Sequence, residues 1–257
     1  MEKLAGQTAL ISGGLGDIGQ AIARALAAGG ADIALCGLQP EHEADAFLAE
    51  LHQLGRRASY DLVDISDAAA TAGWVQHVEK TMGVPSLIIP NAAQVTMADC
   101  RHITPQQWDR ELRVNLDGAF YLARSAALVL VEQHKPGRIV FIGSWTAHRA
   151  HPHIPAYAVS KAALRMLCQC MALEFAPYGI LVNEVAPGYV DAGLSGRLLR
   201  ENPHLKEKLR QLVPVKQLVE PHEVARSVAF LCDPENCQMT GSVIVQDGGV
   251  SLLPPKP

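Results

Sequence analysis

Tyr157 and Lys161 are four residues apart and so share one face of any helix that carries them. A free phenol ionises near pH ~10, too high for easy proton exchange at neutral pH. A neighbouring ammonium favours the phenolate and brings that value down, which would make Tyr157 a usable acid and base. Thirteen residues upstream, Ser144 follows the apolar run Arg138–Gly143 (RIVFIG). Its hydroxyl could hydrogen-bond the oxygen of a reacting carbonyl. The pattern Y-x-x-x-K alone is common in helices; its weight here comes from the company it keeps.

That company is a glycine-rich segment near the start, Ser12-Gly13-Gly14-Leu15-Gly16-Asp17-Ile18-Gly19. Gly14, Gly16 and Gly19 fit the G-x-G-x-x-G spacing between an apolar run and a helical pattern, the context in which that spacing has meaning. Missing side chains let backbone approach a pyrophosphate, and a helix N-terminus offers free N–H groups and partial positive charge. Asp17 either sets a carboxylate beside this cradle or caps the helix.

Elements of regular structure must hold these groups together. Thr8–Ser12, Ile33–Cys36, Leu87–Pro90, Arg138–Gly143, Ile180–Val185 and Val243–Gln246 read as strands, with a weaker one at Ala58–Leu62. Their runs are continuously apolar rather than alternating, as expected of a parallel sheet buried on both faces. Between them lie helical patterns. Ile18, Ala21, Ile22, Ala25 and Leu26 follow the glycine loop at helical spacing, and Leu164, Leu167, Cys168, Met171 and Phe175 nearly repeat it. Glu41–Leu54, Ser66–Met82, Pro105–Glu132 and Pro221–Cys232 are further helices. The alternation predicts one doubly wound α/β domain spanning residues 1–257, about seven parallel strands with helices on both faces, a Rossmann fold. In such sheets ligands bind outside the carboxyl ends of the strands, where Ser12 and Ser144 stand.

Composition narrows the function. With 49% hydrophobic and 19% charged residues the chain is too apolar to be disordered. A net charge of −4 gives no basic face for nucleic acid or an anionic membrane. No uninterrupted apolar run approaches the roughly 20 residues of a membrane span, and no apolar segment follows the first charges as in a signal peptide. The expectation is a cytoplasmic protein. Six scattered cysteines fit reduced thiols better than a disulfide framework, although Cys232 and Cys237 flank a turn and could approach each other.

Taken together, the glycine loop, Ser144 and the Tyr157–Lys161 pair resemble the short-chain dehydrogenase/reductase family, over nearly the whole chain. Ser12-Gly13-x-x-x-Asp17-Ile18-Gly19 is similar to the family's T-G-x-x-x-G-I-G loop, with Asp17 at the middle glycine. Asp64-Ile65-Ser66-Asp67 resembles D-V-T-D, whose first acid meets the adenine amino group. Pro90-Asn91-Ala92-Ala93 stands where N-N-A-G is usual. Asn115 resembles the fourth member of a catalytic tetrad completed by Ser144, Tyr157 and Lys161. Pro187-Gly188-Tyr189-Val190 is similar to the P-G-x-V segment at the nicotinamide carboxamide, with Ala192 where a threonine is common. Thr240-Gly241 and Asp247-Gly248-Gly249 match C-terminal signatures.

The resemblance implies hydride exchange between a nicotinamide and a substrate carbon. Tyr157 would move the proton, Lys161 would lower its pKa and hold ribose hydroxyls, Ser144 would orient the reacting oxygen and Asn115 would support a water relay. The cofactor contacts implied are Ser12, Gly13, Gly14, Gly16, Asp17, Ile18, Gly19, Gly37, Leu38, Asp64, Ile65, Asn91, Ala92, Tyr157, Lys161, Pro187, Gly188 and Val190. An acid after the second strand would select NAD, yet Cys36-Gly37-Leu38-Gln39 holds neither acid nor arginine. NAD and NADP both stay open, and Arg56 and Arg57 read as a solvated pair. No metal is required by this chemistry.

The segment between Ser144 and Tyr157 carries His148, Arg149, His151 and His153. It reads as a polar wall for hydroxyls or a carboxylate, as a subunit or solvent face, or as a metal site. Met97, Trp145, Tyr189 and Leu194 are its apolar neighbours. Residues 192–213 follow P-G-x-V, where the family carries a mobile substrate lid. Their Arg197, Arg200, His204, Lys206, Lys208 and Arg210 form a solvated face or meet an anionic substrate. The expected reaction is that of an NAD(P)-dependent oxidoreductase on a secondary alcohol or ketone of a small sugar, polyol or hydroxy compound. Competing readings are a 3-oxoacyl thioester reductase using NADPH, with the basic lid docking an acidic carrier, and a dinucleotide sensor without turnover. The resemblance also implies a homodimer or homotetramer, in which residues 251–257 reach a neighbour or fray.

Overall fold

Seven strands lie side by side, all parallel, in the order β3-β2-β1-β4-β5-β6-β7. They are β1 (Thr8–Ser12), β2 (Asp32–Gly37), β3 (Ala58–Leu62), β4 (Pro85–Ile89), β5 (Gly137–Ile142), β6 (Ile180–Pro187) and β7 (Val243–Gln246). This is a computed structural model, and it describes residues 2–192, 196 and 201–254. The doubly wound, single-domain sheet expected from the sequence is the one observed.

The apolar strands have a simple cause. Neighbours in a strand point to opposite faces, and both faces are covered. Ile11, Ile33 and Leu35 join the layer of α1 (Asp17–Ala28), α2 (Asp45–Gln53) and a helix at Pro221–Cys232. Leu10, Ala34 and Phe141 join the opposite layer with α3 (Ala68–Met82), α5 (Ala119–Glu132) and α6 (Pro155–Phe175). The predicted helix Pro105–Glu132 is one rod of three parts. It runs as α4 (Pro105–Leu112), a π-helical turn (Arg113–Gly118) and α5. Thr104 starts it with a reciprocal capping box to Gln107. The rod is 28 residues long and apolar enough to cross a membrane, against the expectation that no segment would qualify. Its buried face, with Leu122, Ala126 and Leu130 at no measurable exposure, explains the apolarity as core packing.

The first helix begins one residue earlier than a capping role for Asp17 would allow. Gly16 is the N-cap and Asp17 the first helical residue. All six cysteines are free thiols. Of the expected solvated pair, Arg57 is exposed and Arg56 half-buried, and both are tied down: Arg56 binds Glu2 and the Gly30 carbonyl, and Arg57 binds Asp32 and the Met82 carbonyl. Those partners lie before or at the starts of β1, β2 and β4, at the amino edge of the sheet, away from the carboxyl edge.

A small third core lies off the sheet, where Trp145, Val213, Leu218 and Val250 meet Tyr189, Leu205 and Leu209. It roots α7 (Pro203–Leu212), the described part of the expected lid, against the segment after β5. Helix α8 (Pro221–Cys232) follows, as predicted. Leu194, Arg197 and Arg200 lie outside the described residues.

Beneath β5 and β6 sits a buried ion pair. Arg165 of α6 donates Nε and Nη2 to the two oxygens of Glu184 at 3.0 and 2.7 Å, and Glu184 has no exposed surface. Removing one partner strands a buried charge. Arg165→Met is expected to lower stability by about 3–5 kcal/mol in urea unfolding, and the double variant Arg165→Met/Glu184→Leu to recover much of it.

Candidate active site

A cleft of about 780 Å³ runs along the carboxyl ends of the strands. Its floor begins at the exit of β1. Gly13 turns with φ +63, and Gly19 packs so closely that a Cβ there would overlap the Gly13 carbonyl oxygen. Those two positions admit only glycine, and they bring the start of α1 to the cleft. Gly13, Gly16, Asp17, Ile18 and Gly19 line it, as expected. Gly37, Leu38, Asp64, Ile65, Asn91, Ala92, Ser144, Tyr157, Lys161, Pro187, Gly188 and Val190 line it as well.

Three expected residues stand behind the wall instead. Gly14 faces Leu35, which lies 2.7 Å from where its Cβ would be. Ser12 accepts the backbone N–H groups of Asn91 and Ala92 at 3.0 and 3.1 Å, while the Asn91 amide donates back to the Ser12 and Gly13 carbonyls. Asn115, in the π turn, exchanges two hydrogen bonds with the Gln94 backbone and donates to Ser160 Oγ at 3.1 Å. Each therefore shapes the cleft from behind.

The cleft also includes Gln39 and Ser66, quoted within motifs but not among the expected cofactor contacts, and Gln94, Arg110 and Arg113, which no motif had marked. Ser66 donates both its N–H and its hydroxyl to Asp64 Oδ1, aiming that carboxylate. Gln94 was detectable only through its tie to Asn115, a contact distant in sequence.

Ser144, Tyr157 and Lys161 converge at one end. Lys161 is 2% exposed and donates Nζ to the Ile142 carbonyl at 2.8 Å, with Nζ 5.6 Å from the Tyr157 ring centroid. Burial lowers its ammonium to about 8, with Glu184 opposing. The tyrosine corrects an expectation. Burial pushes its phenol up to about 12; hydrogen bonding with Ser144 opposes this and the charge of Glu111 adds to it. Lys161 is turned toward Ile142, so the protein by itself does not depress the phenol. A bound cationic ring would have to supply that part.

The polar wall is largely spoken for. Arg149 donates to the carbonyls of Val250, Leu253 and Pro254, so its guanidinium is spent on the chain itself. His151 stacks edge-on to Trp145 and reaches the Tyr189 hydroxyl at 3.4 Å. His153 is exposed, with φ 69. Among the described residues no three His, Cys, Asp or Glu side chains converge as metal ligands would.

The cradle suits a dinucleotide: glycine backbone at a helix start for a pyrophosphate, and an oriented Asp64 carboxylate as hydrogen-bond acceptor. Comparison with known proteins agrees. A family model described as enoyl-(acyl carrier protein) reductase matches residues 14–251. Oxidoreductase UcpA of Escherichia coli K12 is 33% identical, covering 98% of this chain and 97% of its own. The 2,3-dihydro-2,3-dihydroxybenzoate dehydrogenase of Bacillus subtilis is 31% identical over 96% of this chain and 97% of its own. Among solved structures, an NAD+-bound xylitol dehydrogenase superposes with a TM-score of 0.89 at 28% identity, covering 96% of this chain and all of its own. A provisionally named NAD(P)-dependent gluconate 5-dehydrogenase of Beutenbergia cavernae, with NADP bound, gives 0.90 at 28% identity, covering 98% and 99%. The chain belongs to the short-chain dehydrogenase/reductase family of oxidoreductases.

Ser12→Ala would leave the Asn91 and Ala92 N–H groups without their acceptor. A loss of about 1–3 kcal/mol is expected in urea unfolding, together with weaker dinucleotide binding by fluorescence titration.

Proposed function

We propose that this chain is an NAD- or NADP-dependent dehydrogenase acting on a secondary alcohol or ketone of a small polyol, sugar or sugar acid. The observation that carries the reading is the meeting of Ser144, Tyr157 and Lys161 at one end of a dinucleotide-shaped cleft. The likeness to proteins named for xylitol and gluconate supports the substrate class. The His151–Tyr189–Trp145 group beside Ser144 supports it too, because it pairs hydrogen-bonding groups with ring faces suited to a carbon skeleton that bears hydroxyls.

Bound nicotinamide supplies the hydride acceptor or donor. The remaining work falls to side chains of this chain. In oxidation, Tyr157 Oη takes the hydroxyl proton while Ser144 holds the same oxygen by hydrogen bond; in reduction, Tyr157 returns the proton. Lys161, released from Ile142, would hold ribose hydroxyls and bring positive charge to the phenol. Asn115 keeps Gln94 and the first turns of α6 in place.

The carrier-docking alternative loses much of its support in the described part of the lid. Lys206 pairs with Asp191, and Arg210 pairs with Glu207. We also propose a homo-oligomer, because Phe120 and Leu128 on α5 and Val159, Met166 and Leu173 on α6 are exposed apolar side chains.

Nicotinamide absorbance is the test. Xylitol, gluconate and related polyols are expected to turn over with NAD or NADP; turnover confined to 3-oxoacyl thioesters with NADPH would replace this reading. Tyr157→Phe is expected to lower kcat by at least about 100-fold while dinucleotide affinity stays within a few-fold. Alcohol oxidation needs the phenolate, so its kcat/KM should rise with pH, and ketone reduction should fall. The midpoint is expected below about 12, where the phenol's surroundings in the chain alone place it, and Lys161→Met should move it upward.

A further inference from the structure

Ser144 has one hydrogen to donate and two lone pairs with which to accept. A hydroxyl that can rotate spends part of its time donating in an unproductive direction. In this chain both acceptor positions are taken by a single neighbour. The Thr146 backbone N–H donates to Ser144 Oγ at 3.2 Å, and the Thr146 hydroxyl donates to it at 2.9 Å. Thr146 is 6% exposed, and Ser144 Oγ is the only hydrogen-bond partner its hydroxyl has among the described residues. Were Ser144 to donate to Thr146 instead, the buried threonine hydrogen would have no acceptor, an arrangement that buried hydroxyls avoid.

The backbone at this point is also fixed. Ser144 is extended, with φ −164 and ψ 152, and caps the start of the 3₁₀ turn Trp145–Ala147. Gly143 before it lies against Glu184, whose carboxylate occupies the place a Cβ would need. Arg165, paired with that carboxylate, extends Nη2 to the Ser144 carbonyl at 3.5 Å. The ion pair thus sets where Ser144 stands, and Thr146 sets which way its hydroxyl points.

We propose that Thr146 is a positioning residue that holds Ser144 as a hydrogen-bond donor toward the cleft. With both lone pairs occupied from the Thr146 side, the Ser144 hydrogen faces Tyr157 and the substrate oxygen. That oxygen gains negative charge as hydride reaches the carbonyl, and a donor already aimed at it need not reorient during the reaction. The proposal rests on the hydride-transfer reading above.

Neutron diffraction from deuterium-exchanged crystals of the unaltered protein tests it without any need for turnover. The expected density places the Thr146 deuteron on the line to Ser144 Oγ and the Ser144 deuteron in the cleft. A Ser144 deuteron directed at Thr146 Oγ1 overturns the proposal. Kinetics give the second test. Thr146→Val keeps the shape and removes the donor, and is expected to lower kcat about tenfold with the dinucleotide KM unchanged. Thr146→Ser, which restores the hydroxyl, is expected to recover most of that loss. Wild-type kcat in Thr146→Val, beside Ser144→Ala and Tyr157→Phe enzymes that have lost turnover, would refute the role of Thr146 alone. Wild-type turnover in those two latter variants would instead remove the hydride-transfer reading itself.

Discussion

Past the pairing of Ile11 with Ile89, the backbone ladder between β1 and β4 stops, and side chains take over the task of holding the two strands together. This is where the strand order reverses, β3-β2-β1 running one way and β4-β5-β6-β7 the other. Connections leave this point toward opposite faces, so a crevice must open between them. Ser12 and Asn91 bridge it through four hydrogen bonds between side chain and backbone. The glycine loop, the Asn91–Gln94 segment and, through Asn115, the base of α6 are all referred to that bridge. It sets the width of the cleft, and every distance across the site inherits it.

At the far end of the cleft, burial and charge oppose each other. Desolvation disfavours both the phenolate of Tyr157 and the ammonium of Lys161, driving the first pKa up to about 12 and the second down to about 8. Nearly matched in water, the two values are thereby drawn apart, and burial favours the uncharged form of each group. Glu184 favours the lysine charge, and Glu111 disfavours the phenolate. By itself the chain therefore holds a neutral phenol, and positive charge from a bound cationic ring and from Lys161 released from Ile142 would tip it toward phenolate.

Much of this was legible in the sequence for physical reasons. Strands buried on both faces need uninterrupted apolar runs, so β1 could be bounded to the residue; the half-buried edge strands β3 and β7 were located as well, β3 as the weaker signal. Gly13 and Gly19 announce a backbone turn and a close approach that no other side chain permits. Ser144, Tyr157 and Lys161 are fixed by local spacing, on a strand end and one helix. What could not be read depends on rotamers and distant contacts. Arg149 carries the same charge whether it faces a substrate or a carbonyl, and only the fold shows that it meets Val250, Leu253 and Pro254. The high phenol of Tyr157 follows from how much protein surrounds it, which spacing does not encode. Ser12 and Asn115 were correctly singled out, yet their place behind the wall depends on partners about 79 and 21 residues away.

The grip of Arg149 on the tail has a bearing on how such a protein can change over generations. The guanidinium binds three main-chain carbonyls and no side chain. Leu252, in the middle of the held stretch, is 86% exposed. The tether thus ignores the identity of what it holds, provided the backbone can follow the same path. Exposed positions such as Leu252 can change without loosening the segment beside Ser144, whereas a change at Arg149 or at the buried Val250 would disturb both. Variable side chains and a constant backbone path can coexist there, with Arg149 and the buried Val250 holding the path in place.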